Sequence, residues 1–268
     1  MDIEVVRRIE LIEARCRAGH NALHPPESEQ GRQLQTLAAA GATIEISGLR
    51  ADMRIGRVYG FGMFEPATEA ALDSILEGLT EARISAIRFR APPTEQRAEI
   101  TEWLKQRGMK RSALVVHWFT ATAPVRAVDT AHEIRRLRDD ERERFGQLIA
   151  LHYHLKPPDS AAFHARLEEI PGMICYMAFD GERAVGTGAL YLDGEGCIVE
   201  YGTTLGPYRK QGLQRATIGY RLNAAAAAGC RWACASTIGS DRSSRNLVRQ
   251  GFEKAYDAPV FTRTSESS

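Results

Sequence analysis

The sequence predicts a mixed α/β (α+β) fold arranged as two tandem domains, each with a mixed central sheet. Three observations carry this. Strand-like and helix-like runs alternate along all 268 residues, enough chain for two domains of ~130 residues, each able to bury a core. The Asp-Gly pairs at 180–181 and 193–194 join three consecutive strand-like runs as hairpins. A strand-like run, Ile198 to Leu205, then passes through a basic, Gly-containing turn straight into a helix-like run, Gly212 to Ala228.

In the first half a long helix is expected over Asp2 to Ala22, then strands over Thr43–Gly48 and Arg54–Met63. A helix over Thr68–Ala82, a strand over Ser85–Arg90, a helix over Thr94–Arg107 and a strand over Ser112–Thr120 complete it. Thr120 to Thr130 carries Pro124 with Ala and Thr but no amphipathic period, and reads as a linker. The expected domains are therefore 1–122 and 131–268. In the second half His132 to Arg138 alternates as a strand, and Asp139 can cap a helix running to about Leu155. Lys156-Pro157-Pro158-Asp159 breaks that helix and starts another to Ile170. Strands Met173–Phe179, Ala184–Leu192 and Cys197–Leu205 follow. After the helix at 212 come a strand over Arg231–Ile238, a short helix and a last strand ending near Arg263.

The composition, 44% apolar and 26% charged, is that of a soluble globular protein. A net charge of +1 gives no global attraction for nucleic acid or membrane, and neither is expected as a partner. No run approaches the ~18 apolar residues of a spanning helix. The acidic start Met1-Asp2-Ile3-Glu4 has no apolar signal region. The five cysteines lack framework spacing and read as buried reduced thiols, so a cytoplasmic monomer or homodimer is expected. His152-x-His154 places its rings on different helix faces, and no metal is expected. Trp118 and Trp232 fit core strands, and Ala224 to Ala228 fits a close-packed helix face.

The turn Gly206-Pro207-Tyr208-Arg209-Lys210-Gln211-Gly212-Leu213-Gln214-Arg215 carries the chemistry. The first N–H groups of a helix lack intrahelical partners and sit at the positive end of its dipole. Phosphate oxygens fit there. Gly212 lets a ligand approach the backbone, and Arg209, Lys210 and Arg215 add charge. A Walker A loop would need Gly-Lys-Ser/Thr, but Leu213 and Gln214 follow Gly212. A dinucleotide fingerprint would need a third glycine where Gly60-x-Gly62 meets Glu65.

Arg209-x-x-Gly212-x-Gln214, preceded by Pro207-Tyr208, resembles the acetyl-CoA pyrophosphate loop of the GNAT superfamily of N-acetyltransferases, Arg/Gln-x-x-Gly-x-Gly/Ala. Gln214 departs from that pattern, standing where a small residue is usual. Downstream, Ser243-Ser244-Arg245-Asn246 and Gln250-Gly251-Phe252 are similar to that family's closing helix and Gly-Phe. The resemblance covers about residues 132–263. It implies an acetyl-CoA-dependent N-acetyltransferase acting on a primary amine of a small molecule or peptide by direct attack. Acetyl-CoA is the implied co-substrate. The implied cofactor contacts are Gly202, Thr203, Thr204, Arg209, Lys210, Gln211, Gly212, Leu213, Gln214, Arg215 and Asn246. Glu200, two residues before Gly202 and so on its face of the strand, is the expected base. The family's Tyr acid would fall at Leu247, which cannot donate a proton; Ser243, Ser244, Tyr220 or Tyr256 could substitute, and Tyr256 is carried as the catalytic candidate. The missing Tyr also leaves open a non-catalytic CoA-binding or regulatory protein on the same fold.

Two echoes suggest duplication: Gln106-Arg107-Gly108-Met109 against Arg249-Gln250-Gly251-Phe252, and Tyr59-Gly60 against Tyr201-Gly202. The first copy reads as degenerate. Between Gly60 and Thr68 it has no basic residue, and Glu65 and Glu69 would repel phosphate.

Overall fold

The computed structural model describes residues 2–23, 40–47, 55–124, 126–155, 158–239 and 241–264. The chain divides into two compact units, Met1–His117 with Ala255–Ser268, and Trp118–Lys254.

The first unit opens with α1 (Ile3–Ala22). Asp2 caps it by accepting from the Glu4 N–H at 2.9 Å, and Val6, Ile9, Ile12 and Cys16 form its buried stripe. Strands β1 (Thr43–Ser47) and β2 (Ile55–Tyr59) are antiparallel. The expected ends of these strands at Gly48 and Arg54 lie outside the described residues. Helix α2 (Glu69–Glu81) is capped by Thr68, whose Oγ1 accepts from Ala71 N–H at 3.1 Å, and it buries Leu72, Ile75, Leu76 and Leu79. Strand β3 (Ala86–Arg90) lies parallel to β2. Helix α3 (Arg97–Gln106) and strand β4 (Lys110–Ala121) follow. The sheet order is β1-β2-β3-β10-β4, where β10 (Glu253–Thr264) comes from the far end of the chain.

That placement corrects the expected boundary. Val260–Thr264 pair antiparallel with Ala86–Arg90, and Phe261 is buried with Val58, Phe61, Ile87 and Phe89. Residues 255–264 therefore group with the first unit rather than with 131–268.

The second unit contains β5 (Glu133–Arg136), α4 (Arg142–His152), α5 (Asp159–Ala165), β6 (Met173–Asp180), β7 (Arg183–Asp193) and β8 (Gly196–Thr204). Then come α6 (Leu213–Ala227), β9 (Trp232–Ile238) and α7 (Asp241–Val248). The order β4-β9-β8-β7-β6-β5 makes an antiparallel meander with β9 added parallel to β8. Each unit thus holds a parallel strand–helix–strand: β2-α2-β3 in one, β8-α6-β9 in the other.

Three expectations shift. Asp139 opens a 3-10 turn rather than capping the helix, because Glu141 bonds Arg138 N–H at 3.0 Å and the Arg135 guanidinium at 2.5 and 2.8 Å. The helix expected to reach Ile170 stops at Ala165 and gives way to a 3-10 turn, Leu167–Glu169. The expected linker is tied down: the backbone of Arg126 exchanges hydrogen bonds with the Asn223 side chain at 2.7 and 2.8 Å. Lys156 and Pro157 of the expected helix break lie outside the described residues.

All five cysteines are buried thiols, and none is in a disulfide. Among the described residues, no helix is long and apolar enough to cross a membrane.

Candidate functional site

The turn after β8 builds an open helix end. Gly206–Tyr208 forms a 3-10 turn with Pro207 in its first positions. Its geometry is held by Tyr208 Oη donating to Asp180 at 2.9 Å, Arg209 Nε donating to Thr204 O at 3.3 Å and Gln211 Nε2 donating to Pro207 O at 3.0 Å. Lys210 and Gly212 both adopt positive φ, +67° and +79°. Gly212 is the N-cap of α6 and carries no side chain to close it, so no side chain caps this helix. A β-branched or bulky residue could hold φ +79° only under strain.

Beside this end lies a cavity of about 440 Å³ lined by His152, Thr204, Arg209, Gln214, Arg242, Ser243 and Arg245. Three guanidinium groups and a helix N-terminus make its lining strongly electropositive. Burial and the nearby Arg209 charge hold the His152 imidazole below its ordinary range, as a positive surround should. Thr204 Oγ1 is buried and has no hydrogen-bond partner among the described residues. An orphaned buried hydroxyl is costly in isolation and marks a place where a polar ligand atom fits.

The strands leading here splay apart. Register partners between β8 and β9 run only from Gly196↔Trp232 to Ile198↔Cys234 among the described residues. Beyond them β8 continues to Thr204 and β9 to Ile238 with no register partners between the two among the described residues, an opening of the kind an extended ligand can enter. On its other side β8 carries a bulge. Thr187 pairs with Thr203 and Ala189 with Glu200, so Gly188 alone opposes Tyr201 and Gly202. Tyr201 takes φ +51° there.

A strand–basic turn–helix with a bulged first strand and a splayed parallel partner decides the architecture. The fold is that of the GCN5-related N-acetyltransferases. No family model matches the sequence, and no curated protein does. Solved structures do. A GCN5-related N-acetyltransferase from Sphaerobacter thermophilus is similar at TM-score 0.62 and 12% identity, over 98% of this chain and 94% of its own. One from Kribbella flavida matches at 0.60 and 15%, over 89% and 94%. A tandem GNAT protein from the clavulanic acid biosynthesis pathway matches at 0.58 and 13%, over 100% and 97%.

Within this GNAT-type fold the expected residues separate by role. Thr204, Arg209 and Gln214 line the cavity. Asn246 Nδ2 donates to Gln214 Oε1 at 2.8 Å, so these two act together. Lys210, Gln211 and Arg215 lie exposed on or beside the loop. Thr203 is buried, and its hydroxyl is paired with Thr187 Oγ1 at 2.8 Å, so its side chain is already taken up. The Leu213 side chain is core, packed near Ala178 and Val185. Arg242 and Arg245 were missed by sequence reasoning. Their i, i+3 spacing on a short helix, next to the Ser-Ser-Arg-Asn string, was the available signal.

The bulge overturns the expectation that Glu200 shares a face with Gly202. One extra residue reverses the alternation. Gly188 and Gly202 turn their α-carbons toward Arg221 of α6, whereas Glu200 and Thr203 occupy the opposite face. Arg221, also missed, is 1% exposed; its Nη1 donates to Ala189 O at 3.0 Å and to Glu200 O at 2.7 Å, and its Nε to Thr217 O at 3.0 Å. A guanidinium buried in a helix thus fastens the two strands at the bulge.

Tyr256 cannot serve as the acid. It belongs to the first unit, is 3% exposed, donates its hydroxyl to Glu10 Oε1 at 2.6 Å and stacks on His117 at 4.2 Å. Burial and the Glu10 carboxylate keep the phenol far above its ordinary pKa. Of the other stand-ins, Tyr220 packs edge-on against Tyr176 in the core, and Ser244 Oγ lies 3.2 Å from Thr237 Oγ1. Tyr153, which follows α4, is a further phenol; desolvation of its hydroxyl, then the charge of Glu200, raises its pKa and keeps it protonated, although the residue as a whole is 46% exposed.

The equivalent turn of the first unit is closed. Phe61 is fully buried, edge-on to Phe89 at 5.3 Å. Gln96 Oε1 takes the Ala67 N–H at 2.9 Å and Thr68 takes that of Ala71. The first unit's helix thus has the side-chain cap that the helix after Gly212 lacks.

Proposed function

We propose that the unit Trp118–Lys254 binds acetyl-CoA and transfers its acetyl group to a primary amine of a small molecule or peptide. The observation that carries this is the uncapped α6 terminus opening onto the arginine-lined cavity, with the unpaired hydroxyl of Thr204 at its edge. The residues fit the group. Arg209, Arg242, Arg245 and the first N–H groups of α6 would meet the phosphates. Backbone groups of Gly202 to Thr204 in the splay would pair with the pantetheine amides. Glu200, on the face opposite α6, would accept the proton of the attacking amine directly or through one water. Tyr153, kept protonated beside Glu200, would return a proton to the departing sulfur.

Titration calorimetry of the full protein with CoA is expected to give one site per chain, because the first unit's helix end is closed. Two sites would refute the degenerate first copy, and no binding would refute the proposal. Turnover follows from a panel of amines with acetyl-CoA, read as free thiol. Leu247, buried where the family's tyrosine would stand, favours a second reading, a CoA-binding protein without turnover. CoA binding with no thiol release from any amine supports that reading.

Glu200→Gln keeps shape but removes basicity. It is expected to hold CoA affinity and lower kcat by at least ~10-fold at neutral pH, recovering at high pH where the amine is already neutral. An unchanged pH–rate profile would make Glu200 structural.

A further inference from the structure

The bulge leaves an atom-sized gap under Gly202. A Cβ built there would stand 3.4 Å from Arg221 Nη2 and 3.8 Å from Gln214 Nε2, with no other heavy atom within 4 Å beyond its chain neighbours. Both nitrogens are donors only. Gln214 is oriented by Asn246, whose Nδ2 donates to its Oε1, which leaves Nε2 turned toward Gly202. Arg221 uses Nε and Nη1 on the carbonyls of Thr217, Ala189 and Glu200. Neither Arg221 Nη2 nor Gln214 Nε2 has a hydrogen-bond partner among the described residues. Burial lowers the arginine's pKa to about 10, so it stays charged at neutral pH. At Gly188 the fit is tighter: a Cβ would lie 2.8 Å from the guanidinium carbon. The arginine is therefore wedged in one position.

We propose that Arg221 Nη2 and Gln214 Nε2 form a two-donor hole that receives the carbonyl oxygen of the acyl thioester. The proposal rests on the acetyl-CoA reading and deepens it. Gly202 lies on the stretch of β8 beyond its register partners in β9, and both donors stand on its α6 face, opposite the face of Glu200. The amine nitrogen lone pair bonds to the carbonyl carbon while the C=O π pair moves onto oxygen. The hole's donors meet that charge. The pair then re-forms the carbonyl as the C–S bond breaks, sulfur leaves as thiolate, and the proton lost from nitrogen goes to Glu200. Gln214 then has a reason to stand where the loop pattern has a small residue: it supplies a donor that a small residue could not.

The test needs no acceptor amine. Calorimetry on the full protein compares acetyl-CoA with ethyl-CoA, a thioether that lacks the carbonyl oxygen. The wild type is expected to prefer acetyl-CoA by at least ~10-fold, the scale of one charge-assisted hydrogen bond. Gln214→Leu removes one donor and Gly202→Ala fills the gap. Gly202→Ala is expected to reduce the preference to within ~2-fold, and Gln214→Leu, which leaves the arginine donor in place, to lower it by about 3-fold, while ethyl-CoA still binds both. Equal wild-type affinities would overturn the hole, yet leave the CoA reading standing. A preference that survives both variants would also overturn it. If neither compound nor CoA itself binds, the functional reading falls as well.

Discussion

Arg90→Met is expected to cost the first unit about 3–5 kcal/mol, the scale seen when one partner of a buried ion pair is removed. Arg90 is 5% exposed and holds two carboxylates, Glu10 at 2.8 Å and Glu13 at 2.5 Å, while its guanidinium lies 4.6 Å from the Tyr59 ring centre. Without it, Glu10 keeps the Tyr256 hydroxyl at 2.6 Å and Glu13 keeps His117 at 3.5 Å, but both buried carboxylates lose their arginine. The loss should depend on pH. Burial alone would push the Glu13 carboxyl up, but Arg90 and His117 outweigh it and hold it well below the ordinary carboxylate range. A depressed folded-state pKa adds stability above the unfolded value of ~4.3, and that stability fades as pH falls below it. The wild type should therefore lose stability on acidification below about pH 4. The variant's deficit should shrink there, since its carboxyls take up protons. Urea unfolding at pH 7 and pH 4 measures both effects. A deficit under ~1 kcal/mol at pH 7 would show that the cluster is no net constraint.

Reversing charge at the anion site should have the second large effect. Arg209→Glu with Arg245→Glu replaces two cavity-lining cations by anions at an uncapped helix end. CoA affinity is expected to fall more than ~100-fold at low salt, less as salt rises, because screening shortens the reach of exposed charges. Both side chains are surface groups at the cavity rim, so the folded protein should survive, as circular dichroism would show. A change under ~3-fold would place the phosphates elsewhere.

Much of this site is local and could be read from residue order. The turn from Gly206 to Arg215, the Asp-Gly hairpins and the helix periods all depend on near neighbours. What escaped reading depends on distant ones. The bulge at Tyr201–Gly202 is set by how β7 meets β8, and it reverses the face that residue counting assigns to Glu200. Arg221 reads as an ordinary polar residue of a helix until Gly188 and Gly202 are seen to make room for it. Tyr256 looked free as an acid because its partner, Glu10, lies 246 residues earlier. Arg242 and Arg245 gain meaning only when α7 is placed beside the mouth of the cavity.

The place of β10 has a consequence for synthesis. Strand β3 ends at Arg90, yet the segment that pairs with it begins at Val260. A ribosome adding roughly 5–20 residues per second needs on the order of ten to thirty seconds to span that gap. Throughout, the nascent first unit lacks Phe261 and keeps an open strand edge, the feature through which chains stick to one another. The part of this chain made first is thus among the last to complete its sheet.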